Sequence, residues 1–222
     1  MQQIGATVDR IREVVEKAQL RPPGSQTKCE LSSEEKQILH DALWGGFDPY
    51  CPELQKAEQR IKAFIRGEPP TALVLAGNCG CGKTHLARVA EGHIMLVRWG
   101  SVVSESDIVA RIQASYNDRD GETEDHIINE LRATSRLIID DIGTAHVKAD
   151  SQSWIEGIYW RLLDRRAERQ RQTMITTNLN MEQLAQRLGV RATSRLMGMM
   201  GSLQEGYVDL FGVKDYRLRN WK

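Results

Sequence analysis

Apolar residues recur along the chain in two registers. Ile4, Val8, Ile11, Val15 and Ala18 keep helical spacing with one greasy face, and Arg21-Pro22-Pro23-Gly24-Ser25 ends the run. A second short helix is expected after Ser32 or Ser33, with Glu34 and Glu35 in a first turn that favours negative charge. Residues 44 to 52, rich in Gly, Pro and aromatics, read as a loop. Leu54, Ala57, Ile61, Phe64 and Ile65 then form a further helical stripe ending near Gly67 and Pro69-Pro70. From Thr71 the pattern switches to short apolar runs alternating with helical stretches, the signature of a parallel sheet with crossover helices. Strands are expected at Ala72 to Leu75, Ile94 to Trp99, Leu137 to Asp140, Met174 to Thr176 and Tyr207 to Phe211. Helices are expected near Lys83 to Glu91, Glu105 to Tyr116, Thr123 to Leu131, Ser153 to Gln170 and Met181 to Leu188. Ser104 with Asp107, and Ser153 with Glu156, have capping-box spacing. These patterns divide the chain into a helical region over 1–48 and an α/β domain over 49–222.

Composition narrows the class. With 222 residues, 41% apolar and 27% charged, the chain can bury one sizeable core. No stretch approaches the roughly 18 consecutive apolar residues of a membrane helix, and the start shows no signal-peptide core, so a cytoplasmic protein without a membrane partner is expected. Thirty basic residues balance thirty acidic ones, but residues 151–222 hold 12 Lys/Arg against 7 Asp/Glu. That excess permits a polyanion contact. The plainer reading makes Arg161, Arg165, Arg166, Arg169 and Arg171 a solvated helix face. Cysteines at 29, 51, 79 and 81 and histidines at 40, 85, 93, 126 and 146 lack zinc-site spacing, so free thiols and no structural metal are expected.

The strongest chemical signal is Gly77-Asn78-Cys79-Gly80-Cys81-Gly82-Lys83-Thr84, which fits G-x-x-x-x-G-K-[ST] between an expected strand and helix. Its glycines let backbone N–H groups turn inward around a phosphate. The helix N-terminus adds positive potential, Lys83 reaches the outer phosphates and Thr84 holds Mg²⁺, so ATP with Mg²⁺ is the expected ligand. Leu137-Ile138-Ile139-Asp140-Asp141 is an apolar strand ending in two carboxylates; Asp140 would belong to the Mg²⁺ shell, directly or through water, and Asp141 would polarise the attacking water. Asn178, after Met174-Ile175-Thr176-Thr177, is either a turn residue or an amide that touches the terminal phosphate or orients water. Arg191 and Arg195 share one face of a short helix in VRATSRLMG. They are either a surface ion-pair helix or, for Arg195, an arginine finger reaching a neighbouring subunit. Cys79 and Cys81 read as small fillers of the loop, with an oxidisable thiol beside Lys83 as the alternative. The helix at 3–20 reads equally as a strut or as a docking helix.

Taken in order, GNCGCGKTHLA, LIIDDIG, MITTNLN and RLGVRATSRL resemble the AAA+ ATPases of the DnaC type, a group that includes DnaI- and IstB-like proteins and is related to DnaA. The resemblance covers about residues 52 to 211. It implies an AAA+ P-loop fold with a five-stranded parallel sheet flanked by helices on both faces. It implies Walker A at Gly77 to Thr84, Walker B at Ile138 to Asp141, sensor 1 at Asn178 and a finger at Arg195 in Ser194-Arg195-Leu196. Residues 104–132 would correspond to an insertion contacting single-stranded DNA. The function implied is ATP-driven loading of a DnaB-type replicative helicase onto single-stranded DNA by a homo-oligomer, with residues 1–48 as the partner-binding region. The alternatives are an IstB-type transposition helper or a non-hydrolysing ATP-dependent clamp. The sequence departs from the family pattern in three places: Asp141 stands where many AAA+ proteins have Glu, the 27 residues after Arg195 are too few for a full helical lid, and the N-terminal region lacks zinc-binding Cys and His spacing.

Overall fold

The computed structural model describes residues 50–96, 100–116, 121–145 and 151–216, with the side chains of 92–96 excepted. The helices expected before residue 40, the loop from Trp44 to Pro49 and the whole 1–48 region lie outside the described residues.

Helix α1 (Pro52–Arg66) starts with proline in its first turn, where the missing N–H costs nothing, and stops at Gly67 in the left-handed conformation. Gly67 N–H and Glu68 N–H close the end on the carbonyls of Phe64 and Ala63, both at 3.0 Å. Its stripe of Leu54, Ala57, Ile61 and Phe64 is buried as the spacing predicts. The alternating elements follow as β1 (Ala72–Ala76), α2 (Lys83–Leu96), β2 (Gly100–Ser104), α3 (Glu105–Ser115), α4 (Glu124–Ala133), β3 (Arg136–Ile142), α5 (Gln152–Glu168), β4 (Gln172–Thr177), α6 (Met181–Met200), α7 (Leu203–Gly206) and β5 (Tyr207–Asp209).

All five strands run parallel in the order β2-β3-β4-β1-β5. The sheet is covered on both sides, which is why β1 and β4 are buried along their whole length and read as unbroken rather than alternating runs. Period-two alternation nevertheless sorts the strand residues between two cores. Leu73, Leu75, Ile138 and Met174 pack with α1 and α2 on one side. Val74, Ala76, Leu137, Ile139 and Ile175 pack with α3 to α6 on the other.

Three expectations are corrected. Ile94 to Leu96 belongs to α2, and the second strand is Gly100–Ser104, because a short apolar run fits a helix end as well as a strand. The fifth strand stops at Asp209, whose Oδ1 accepts the Phe211 N–H at 2.8 Å and turns the chain. Ser104 caps α3 by accepting the Asp107 N–H at 3.0 Å, but α5 begins earlier than expected, at Gln152, with no side-chain cap. Glu156 there accepts instead from Gln152 Nε2 at 3.0 Å. The two helices expected around residues 181–188 and 190–198 are present as halves of α6, separated at Gly189, whose φ of 78° breaks the helical path.

Candidate nucleotide-binding site

The carboxyl ends of parallel strands point the same way, so whatever follows β1, β3 and β4 gathers along one edge of the sheet. After β1, Gly77 N–H donates to Thr177 O of β4 at 3.1 Å, which seats the start of the phosphate loop against its neighbour. The loop then curls through Gly80 and Gly82 with φ of 79° and 100°. At Gly80 a side chain is barred twice over, by that φ and by the Asp215 carboxylate, whose Oδ1 would lie 1.9 Å from an added Cβ. Lys83 opens α2, and its buried side chain bends back into the curl. Nζ donates to Gly77 O at 2.7 Å and to Asn78 O at 2.8 Å. Among the described residues no carboxylate pairs with this ammonium. Thr84 is exposed beside it. Cys81 is fully buried within the α1–α2 core, 3.7 Å from Lys83 Nζ, whereas Cys79 is exposed.

Strand β3 brings the acidic pair. The β3–β4 register breaks between Ile139 and Ile142, and Asp141 sits in that bulge with φ of 61°. A bulge re-aims side chains, and a non-glycine residue held at positive φ is strained. Thr176 of β4 secures the turn, donating its hydroxyl to Asp140 Oδ1 and accepting the Asp141 N–H at 2.8 Å. Asn178 Nδ2 donates to Asp141 Oδ1 at 3.2 Å. Burial pushes the Asp141 carboxyl above its ordinary range, the neighbouring Asp140 charge and Glu105 push the same way, and Lys83 opposes them. Because β4 lies between β1 and β3, Asn178 falls between the phosphate loop and the carboxylates. The loop, Asp140, Asp141 and Asn178 thus converge on one site. It offers a positive pole, hard oxygen groups suited to a divalent cation, and a carboxylate–amide pair able to orient a water.

The sequence profile of the IstB-like ATP-binding proteins matches residues 54–197. The chain belongs to that IstB-like family. It is 31% identical over 145 residues to the replicative helicase loader DnaC of Escherichia coli K12, a match covering 64% of this chain and 56% of the relative. The chain thus spans about half the length of that curated relative. Among solved structures, the DnaC helicase loader superimposes with a TM-score of 0.57 at 21% identity, covering 75% of this chain and 97% of that one. AMPPCP-bound DnaA from Aquifex aeolicus gives 0.55 at 18% identity, covering 68% and 44%. The AAA+ architecture implied by the motifs is therefore the observed one.

Near the end of the IstB-like span, Arg195 lies apart from this convergence. It sits on the second half of α6, and its contacts are with α5: Nε donates to Asp164 Oδ1 at 2.8 Å and the guanidinium lies 5.5 Å from the Trp160 ring centroid. Arg191 approaches the same ring at 5.8 Å.

Sequence reasoning missed a buried polar hub. Glu105 is wholly buried and accepts from Tyr159 Oη at 2.7 Å, Arg187 Nε at 2.9 Å, and the N–H groups of Gly143 and Ala145 at 2.8 and 3.0 Å. It fastens the turn after Asp141 to α5 and α6. Its place in a helix first turn gave no sign of burial. The arginine run is a solvated face only in part: Arg165 and Arg169 are exposed as expected, and Arg166 is the exception. Arg161 pairs with Glu124 and Asp125, Arg165 with Glu168 at 2.7 Å, and Arg171 donates to Ala133 O. Arg166 is fully buried, donating to Leu131 O, Thr134 O, Gln172 O and Thr173 Oγ1 at 2.6–2.8 Å, while burial lowers its pKa to about 9. Its spacing four residues after Leu162 on the buried stripe of α5 was the available signal.

Proposed function

We propose that this chain binds and hydrolyses ATP with Mg²⁺, and that nucleotide state governs a homo-oligomer that loads a replicative helicase onto single-stranded DNA. The observation that carries the reading is the buried Lys83 ammonium, held by two loop carbonyls and no described carboxylate, at a helix start inside a glycine curl. Such a cation answers to an anion from outside the chain, and the geometry suits phosphate. The fit extends to the metal. Exposed Thr84 and the Asp140 carboxylate are the residues that would hold Mg²⁺, which neutralises charge on the phosphoryl oxygens when bound. Lys83 and the backbone N–H groups of residues 78–84 would bind the phosphates. Asp141 would take up a water proton through its carboxylate, and Asn178 keeps that carboxylate oriented.

Arg195 contacts α5 and not its own phosphate loop, and it would complete the site of a second copy, as the motif resemblance implies. Titration calorimetry with MgATP tests the foundation: wild type binds and Lys83→Ala binds at least tenfold more weakly. Absence of any association with the wild type refutes the reading.

The partner assignment rests on similarity to proteins named as DnaC helicase loaders, and residues 1–48 are its candidate seat. Deletion of residues 1–20 is expected to abolish helicase capture while sparing ATP binding. The IstB-like profile keeps a transposition helper as the second reading. Capture from the source cell with ATP separates the two by whether a replicative helicase or a transposase elutes, using Lys83→Ala as control.

Residues 104–132, the segment assigned by resemblance to DNA, carry eight acidic and three basic side chains. Arg111 there is engaged by Glu122 and Glu130. A contact through this segment would neutralise few phosphates, so DNA binding through it would depend only weakly on salt.

A further inference from the structure

Arg195 is about half exposed, yet it is not a loose surface arginine. Its inner nitrogen, Nε, is bonded to Asp164, and its Cζ lies over the Trp160 ring, 5.5 Å from the centroid. Among the described residues Nη1 and Nη2 have no hydrogen-bond partner. A guanidinium presents its donors in a rigid planar fork, so fixing Nε and one face fixes where the outer pair points. Trp160 and Asp164 lie four apart on α5 and therefore share one face of that helix, opposite α6. Arg191 shares the same indole. Two like charges over one ring repel each other, an arrangement sustained here by the ring quadrupole and by the Asp164 charge. An exposed ion pair of this kind contributes little to stability. Its consequence is orientation.

The geometry points to Trp160 and Asp164 as positioning residues that hold Arg195 with its outer nitrogens presented to a phosphate of the nucleotide bound by a second copy of this chain. The inference rests on the reading of Arg195 given above and adds the parts that make its geometry ready. A single phosphate tip is favoured over a nucleic-acid strand because α5 places Glu156 and Asp164 beside the two arginines. A strand lying along this surface would meet those carboxylates. Preorganisation matters because an arginine with free rotamers must be ordered at the moment of reaction, and small misplacements of a reacting or stabilising group are costly in rate.

The test is steady-state ATP turnover by the full chain, alongside ATP-dependent self-association by sedimentation velocity and melting temperature as a check on folding. Arg195→Ala is expected to lower kcat by about 10³-fold. Asp164→Ala and Trp160→Ala are expected to lower kcat by roughly tenfold with KM little changed, and to weaken ATP-dependent association, at unchanged melting temperature. Asp164→Asn, which keeps an acceptor for Nε, and Trp160→Phe, which keeps a ring face, retain most of the rate. Arg195→Lys does not, having no fork.

Mixing Asp141→Asn with Arg195→Ala discriminates further. In mixed assemblies an intact site meets an intact finger, so turnover rises above the sum of the two alone, which a misfolded subunit could not produce. If Arg195→Ala is slow but Asp164→Ala and Trp160→Ala are not, the positioning inference is overturned and the finger stands. If Arg195→Ala turns over normally, or the mixture shows no gain, the role in a second copy is overturned for Arg195 itself. A wild type that binds MgATP without turnover overturns both while leaving nucleotide binding intact.

Discussion

Asp141→Asn separates strain, charge and chemistry at one position. The backbone there has φ of 61°, a region that asparagine and aspartate tolerate better than other non-glycine residues. An asparagine Oδ1 also keeps the acceptor for Asn178 Nδ2, and the bond from the residue's N–H to Thr176 Oγ1 does not involve the side chain at all. What disappears is a charge that burial, Asp140 and Glu105 all disfavour. The unfolding free energy of the nucleotide-free protein should therefore be unchanged or higher at neutral pH. Asp141→Ala, which forfeits local tolerance of the left-handed region, should lose about 1–2 kcal/mol.

The gain from Asn has a pH signature. The folded carboxyl is raised above its unfolded value, so the unfolded state loses its proton first and stability falls as pH climbs from that value through the folded one. Relative to wild type, Asp141→Asn should gain only above the ordinary carboxylate range. Turnover should fall by about 10²–10⁴-fold, the usual worth of a general base, while MgATP binding persists. Urea denaturation across pH, calorimetry and a phosphate-release assay together decide it. An Asn variant destabilised by more than about 1 kcal/mol would refute the account of the bulge, and one that keeps turnover within twofold would refute the role of the carboxylate.

Gly80→Ala is expected to abolish measurable MgATP binding and to lower stability by about 1–2 kcal/mol, since it adds a Cβ at φ 79° into the Asp215 carboxylate; retained affinity in calorimetry would contradict the packing. Arg166→Met should cost about 3 kcal/mol in urea unfolding, because it removes the donor to the buried Leu131 and Gln172 carbonyls, the half-buried Thr134 carbonyl and the Thr173 hydroxyl, and Arg166→Lys should recover only part. A native thiol-labelling time course should modify exposed Cys79 readily and fully buried Cys81 only on unfolding, so mild alkylation at Cys81 would argue for opening of the phosphate loop.

Much of this was legible before any coordinates. The phosphate loop is written in glycines whose conformations few other residues adopt. The acidic strand end announces itself because Leu137 to Ile139 is apolar throughout and the next two positions are not. Strand order was not legible: a parallel strand's sequence reflects burial on both faces but not its neighbour, so nothing in MITTN says that it lies between β1 and β3. The second strand escaped for a related reason. Gly100–Ser104 is an edge strand and only half buried, so its apolar signal is weaker than that of the helix end Ile94 to Leu96 beside it. Glu105, Arg187 and Arg166 escaped because polarity is read as exposure, whereas their burial depends on partners distant along the chain. Arg187 reaches Glu105 across 82 positions and Ala145 across 42.

Those buried charges suggest a physical way to tell scaffold from site. Glu105 receives four hydrogen bonds, one of them from the Arg187 guanidinium, and Arg166 donates to four acceptors, so each has exchanged most of its hydration for fixed partners. Lys83 and Asp141 are held more loosely. Among the described residues the ammonium rests on two carbonyls at 2.7 and 2.8 Å and a thiol at 3.7 Å without a paired carboxylate, and the Asp141 carboxylate accepts one side-chain amide bond while two like charges outweigh the opposing Lys83 charge. Folding alone therefore completes the environment of the first pair and leaves the second pair under-compensated, with opposite signs, at the same edge of the sheet. A magnesium triphosphate carries both complements, anionic oxygens for Lys83 and a divalent cation for the acidic strand end. Its binding energy would thus come largely from relieving electrostatic costs that the fold already bears.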